Sequence, residues 1–102
     1  MNPHHAFLPA AAWLAGCAVQ AFPADQLAAS EAAIARAERA GAAQLAPADL
    51  ENAREKLRLT RRWVEARDYA PARWLAEQAL VDAELAEAKS IAARARAKDA
   101  AP

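Results

Sequence analysis

One residue in three of this chain is alanine, 34 of 102, and that fact limits its folds more than any motif it carries. Alanine has the highest helix propensity of the natural residues but hides little apolar surface when buried. Glycine occurs only at positions 16 and 41, and no stretch alternates apolar and polar residues with period two. Strands are therefore not expected. From Cys17 onward only 17 larger apolar residues (Leu, Ile, Val, Phe, Trp and Tyr) are available. Such a chain is all-α, with helices drawn together through small side chains and a core that is thin for its size.

The punctuation divides the chain into three helices. The first is expected over about 25–40, ended by Gly41 in the left-handed conformation. Residues 42–46 then form a connection. Pro47 suits a first helical position, and Asp49 and Glu51 follow where the helix dipole favours acids, giving a helix over about 47–67. Pro71 disfavours helical backbone at Ala70, so Asp68-Tyr69-Ala70 is expected to be a tight turn. The last helix runs over about 71–98. A turn this short makes the second and third helices an antiparallel hairpin, and with the shorter first helix the result is a three-helix bundle or coiled-coil-like assembly. If the turn centres on Tyr69, residues equidistant from it face each other. That register sets Arg61 near Glu77, Lys56 near Asp82, Arg54 near Glu84 and Asp49 near Lys89. Exposed pairs of this kind select register rather than hold a fold.

At about 100° per residue, both hairpin helices are apolar on two sides. On one, Leu50, Ala53, Leu57 and Val64 share a face, with Leu59 and Trp63 nearly opposite. On the other, Ala72, Ala76, Ala79, Ala83, Ala86 and Ser90 form a seam of small residues, with Trp74, Val81, Leu85, Ala88 and Ala92 behind it. The seam allows close approach and is assigned to the hairpin contact, filled by Leu50, Leu57 and Val64. The first helix offers only Leu27 and Ile34 as large residues, so it covers one stripe at most. Leu59, Trp63, Trp74, Val81 and Leu85 then form either surplus surface on a plain three-helix core or an interface with a second copy or another protein. Near the turn, Trp63, Val64, Tyr69, Trp74 and Leu75 are expected to close the end of the core rather than to bind a ligand.

Catalytic chemistry is sparsely provided. After Cys17 there is no His and no other Cys, and the small hydroxyl residues are Ser30, Thr60 and Ser90. These residues cannot supply a Ser-His-Asp or Cys-His device, and no glycine-rich phosphate loop is present. Glu51 with Glu55, and Glu84 with Glu87, share helix faces but lie among arginines, which reads as solvated charge rather than a metal site. Lys and Arg number 13, as do Asp and Glu, a balance that argues against nucleic acid as a partner. No enzyme activity, cofactor, metal or small-molecule substrate is expected. Arg94, Arg96 and Lys98 offer a weak basic cluster for anionic lipid.

The first charged residue other than histidine is Asp25. Before it, Ala6 to Ala15 is apolar but too short to span a bilayer. On the residues alone, Cys17 is either a small apolar or free thiol at the end of a tail, or the end of a targeting signal. The spelling Leu14-Ala15-Gly16-Cys17 resembles a bacterial lipobox, in which the chain is cut before the cysteine and the thiol carries a lipid. Met1-Asn2-Pro3-His4-His5 lacks the Lys or Arg that usually opens such a signal. The resemblance implies a signal peptide over 1–16 and a linker over 17–24 after the lipidated cysteine; with the helices read above, the helical domain is expected over 25–98 and a tail over 99–102. His4 and His5 fall in the discarded part, and Ala18 in place of Asp implies the periplasmic face of the outer membrane.

Two further resemblances concern the helices. Ala66-Arg67-Asp68-Tyr69-Ala70-Pro71-Ala72, with Ala76, Ala79 and Leu80, is similar to the second helix of a tetratricopeptide repeat, which implies as an alternative a soluble adaptor that grips peptide segments. A second copy of the repeat is lacking. Further stretches are Ala32-Ala33-Ile34-Ala35-Arg36-Ala37-Glu38, Gly41 through Leu50, Ala53-Arg54-Glu55-Lys56-Leu57, Ala66-Arg67-Asp68-Tyr69 and Leu75 through Ala86. Following the lipobox, they resemble small alanine-rich bacterial envelope proteins with a domain of unknown function, found alone or ahead of an OmpA-like domain. That likeness implies a lipid-anchored, non-catalytic periplasmic protein of structural or interaction type. It lends no catalytic residues, and without the OmpA-like domain no peptidoglycan binding carries over.

Overall fold

Residues 21–102 are described by the computed structural model. They form α1 (Ala24–Arg39), α2 (Ala42–Leu45), α3 (Pro47–Glu65) and α4 (Tyr69–Ala100). The all-α class, the antiparallel α3–α4 hairpin and the shorter N-terminal helix are as the sequence predicts. The segment expected to be a plain connection contains the single helical turn of α2. The lipobox-like residues Leu14, Ala15, Gly16 and Cys17 lie outside the described residues.

The small-residue seam organises the bundle. Ala72, Ala76, Ala79, Ala83, Ala86 and Ser90 are all fully buried on α4, and their spacing alternates between four and three residues. That heptad-like rhythm keeps one straight line of small side chains facing a neighbour along the helix. α3 answers with the same rhythm at Leu50, Ala53, Leu57 and Thr60, all buried. α1 adds Ser30, Ala33, Ile34 and Ala37. Leu27 and Leu80 pack against the resulting core. Its polar members are satisfied within their own helices. Ser30 donates to the Leu27 carbonyl, Thr60 to that of Lys56 and Ser90 to that of Ala86, at 2.8–2.9 Å. A hydroxyl used this way behaves as a small seam residue.

Charge pairs record how the helices align. Lys56 Nζ lies 2.7 Å from Asp82 Oδ2, and Lys89 Nζ lies 2.7 Å from Asp49 Oδ2, both in the expected register. The other two expected pairs do not form. Arg61 meets Glu31 at 3.3 Å, and Arg54 meets Glu38 and Glu51 at 3.6 Å each. The reason is α1, which lies along α3 and presents two acids seven residues apart to two arginines seven residues apart. α1 also joins α4, through Arg36 and Glu87 at 3.8 Å. It thus runs antiparallel to α3 and parallel to α4, filling the hairpin's inner side.

Two chain reversals use left-handed backbone. Gly41 has φ 92°, and its N–H donates to the Glu38 carbonyl at 3.0 Å. A Cβ there would stand 2.6 Å from the Arg94 guanidinium, which lies across the glycine. The second reversal corrects the expected Asp68–Ala70 turn. α4 begins at Tyr69, so Ala70 and Pro71 are helical. Pro71 falls in the first turn, where backbone N–H groups have no intrahelical partner to lose, and this overrides the extended preference of Ala70. The turn is made by Arg67, with φ 59°. Its N–H donates to the Val64 carbonyl at 2.9 Å, and the Asp68 N–H donates to that of Trp63 at 3.0 Å. This paired closure is the one glycine usually provides at a helix C-terminus.

Two stability measurements follow, both by urea or thermal unfolding. Ala83→Leu overfills the seam and should destabilise by about 1–3 kcal/mol, whereas Ala88→Leu, on the outer side of α4, should change stability by no more than about 0.5 kcal/mol. Arg67→Gly should stabilise by about 1 kcal/mol, because it removes the left-handed penalty of a side chain with a Cβ.

Candidate functional site

The candidate interface lies on the outer side of the hairpin, and helix phase shows how its residues are arranged. On α3, the residues bonded to α1 (Arg54, Arg61) and those bonded to α4 (Asp49, Lys56) lie on opposite sides of Leu57. Trp63 sits beside the α4-facing set and Leu59 just behind it, both turned away from α1. On α4, Trp74 and Leu85 lie next to the flank that carries Asp82 and Lys89, with Val81 slightly further round. The face opposite α1 therefore carries apolar residues of both helices, with the Lys56–Asp82 and Lys89–Asp49 pairs along its middle. Trp63 and Trp74 fall at the same level, beside the turn. Leu59 comes next, then Val81 and Leu85 further along.

This face is open to solvent. Trp74 is 60% exposed, Val81 57%, Leu85 44% and Trp63 41%, while Leu59 is half-buried. Two tryptophans so exposed on a domain this short of large apolar residues are not spent on its core. The expectation that Trp63 and Trp74 close the turn end of the core is corrected here. That end is closed by residues upstream of α1: Pro23 is fully buried, and the Phe22 ring meets Tyr69 edge-on with centroids 5.6 Å apart. Arg73 donates to the Ala21 carbonyl at 3.0 Å. Sequence reasoning missed this because it placed residues 17–24 in a linker, although Phe22 and Pro23 are more apolar than a linker requires. Beside Trp63, a depression is lined among the described residues by Leu59, Arg62, Trp63 and Ala66.

Several other charged groups form surface pairs. Glu55 lies against Arg58, and the hydrogen bonds from that guanidinium hold its carboxyl below the ordinary Glu range. The same bonds raise Arg58. Glu51 faces Arg54 and Glu87 faces Arg36. Among the described residues, no group of acids, histidines or cysteines is placed to hold a metal ion, and no helix is long and apolar enough to cross a membrane.

Residues 25–102 match the family described as Domain of unknown function (DUF4398), which is more than half of the chain, and the protein belongs to that family. No curated protein and no solved structure matches it.

One pair on this face carries more weight than its neighbours. Asp82 Oδ2 is sealed from solvent and makes no aligned hydrogen bond, so the Lys56 ammonium 2.7 Å away is what balances its charge. Lys56→Met leaves that charge unbalanced and should destabilise by about 1–3 kcal/mol in urea unfolding. Adding Asp82→Leu should restore part of the loss, since replacing both members removes the stranded charge.

Proposed function

We propose that this is a lipid-anchored protein of the bacterial envelope, held at the periplasmic face of the outer membrane through Cys17 and acting by protein contact rather than catalysis. One juxtaposition carries the reading. The lipobox-like Leu14-Ala15-Gly16-Cys17 stands seven residues ahead of a helical domain whose outer face leaves two tryptophans, a valine and a leucine in solvent. An anchor confines the domain to one surface, and an apolar face with polar surroundings is the usual ground for a protein contact. The sealing of Ser30, Thr60 and Ser90 inside the bundle agrees with a role that needs no nucleophile. The occupant of the face is a second copy or another envelope protein. The adaptor alternative gains no support, because α1 fills the inner side of the hairpin where a peptide would lie.

Expression of the full chain and of Cys17→Ser in a bacterium with two membranes, with radioactive palmitate, tests the anchor. Label should appear on the wild type alone and fractionate with the outer membrane; unlabelled soluble protein still starting at Met1 removes the anchor. Val81→Ser with Leu85→Ser tests the contact without touching the core. The double variant should keep its thermal midpoint but lose crosslinked species formed in the envelope, and an unchanged crosslinking pattern ends the interface reading.

A further inference from the structure

We infer that the turn end of the bundle, carrying Phe22, Trp63, Arg62, Arg67 and Trp74, seats on a bilayer surface containing anionic phospholipid. The proposal rests on the anchored reading for Cys17 and narrows it, giving the two tryptophans to lipid and leaving Val81 and Leu85 to a protein partner.

The chain's path fixes which end meets the membrane. Pro23 is buried, Phe22 lies on Tyr69 and the Ala21 carbonyl accepts from Arg73. Ala21 therefore lies at the start of α4, beside the 66–68 turn. Cys17 precedes Ala21 by four residues, a reach of at most about 14 Å. A lipid on that thiol holds this end against the bilayer. α4 runs about 48 Å from there at 1.5 Å per residue, which places Arg94, Arg96 and Lys98 at the far end, away from the anchor.

The surface at this end has the chemistry of the membrane interface. Phe22 is 48% exposed and lies against Tyr69 at the end of the molecule where Trp63 and Trp74 stand on the outer face. Indole rings settle at the headgroup level, where one edge is apolar and the N–H is wet. Between residues 61 and 74, four arginines (61, 62, 67 and 73) outnumber the acids Glu65 and Asp68. Arg61 is engaged with Glu31 and Arg73 with Ala21, while Arg62 and Arg67 are exposed. Charge alone does not choose the end, because the far end is basic too; the aromatic residues and the chain entry do. A lipid on Cys17 already supplies most of the attachment, so the contact made by this end needs little area of its own.

The test uses the full chain with Trp13→Phe, so that Trp63 and Trp74 are the only indoles, bound to vesicles of phosphatidylcholine and phosphatidylglycerol with brominated acyl chains. A companion chain carries Trp13→Phe, Trp63→Phe, Trp74→Phe and Ile91→Trp, moving the reporter to the far end. Quenching of the first chain and not the second supports the proposal. Equal quenching of both, or quenching of the companion alone, overturns it, as does no quenching of either. A blue shift that grows with protein concentration in the absence of vesicles also overturns it, in favour of a second copy. Arg62→Gln with Arg67→Gln should weaken vesicle binding by at least about tenfold, from about fivefold per charge, with unchanged circular dichroism. Mass spectrometry of Cys17 separates the two readings. An acylated chain without turn-end quenching overturns the seating alone, whereas an unacylated chain with quenching overturns the anchor and supports the seating.

Discussion

Everything in this bundle depends on how closely two backbones approach along α4. Alanine and serine at 72, 76, 79, 83, 86 and 90 leave almost no side chain between α4 and its neighbours. Attraction between close-packed backbones and short side chains falls off steeply with separation. A seam of alanines therefore works only if the helices meet at short distance along their whole length. The alternating spacing of four and three supplies that continuity, and α1 and α3 share the seam because each presents the matching rhythm. A few larger residues, chiefly Ile34, Leu50 and Leu57, complete the core. With so little apolar area per contact, alignment matters more than bulk. The ion pairs spaced by seven residues, Lys56–Asp82 with Lys89–Asp49 and Arg61–Glu31 with Arg54–Glu38, fix that alignment.

Most of this architecture was legible because alanine-rich helices announce themselves through periodicity. The seam, the hairpin and the Gly41 reversal followed from spacing, since burial every three or four residues leaves a pattern no loop would carry. The failures share one physical cause, which is that a local rule was outweighed by tertiary packing. Pro71 disfavours helix at Ala70 as a local rule, yet it falls where its missing donor has no consequence. Arg67 in a left-handed turn carries no sequence signal, because the position is set by the closure between α3 and α4 rather than by the residue. Arg54 and Arg61 were paired with α4 because the acids of α1 could not be placed in space from one sequence. The same lack of a third dimension hid the docking of Phe22 and Pro23.

The candidate site was legible as a surplus, since the sequence carries two stripes of apolar residues and enough large residues on the first helix to cover only one. The placement of α1 on the inner side of the hairpin turned that count into a location, the outer face with Trp63, Trp74, Val81 and Leu85. How the two stripes relate to each other was beyond the wheel of either helix alone. It required the two ion pairs that set α3 against α4. The face is thus divided along its length: aromatic and arginine-bearing beside the turn, aliphatic further along.

The position of the seam on the last helix has a consequence for the order in which the molecule takes shape. Synthesis delivers α1 first and α4 last, yet α1 and α3 both make their principal packing contacts with α4. Short isolated helices are marginal in water, so α1 has no durable partner while the first half of the chain is being made. The domain assembles late and nearly at once, when residues past 72 become available to receive the two waiting helices. A domain built in this order stays open until its last helix is in place to receive the other two.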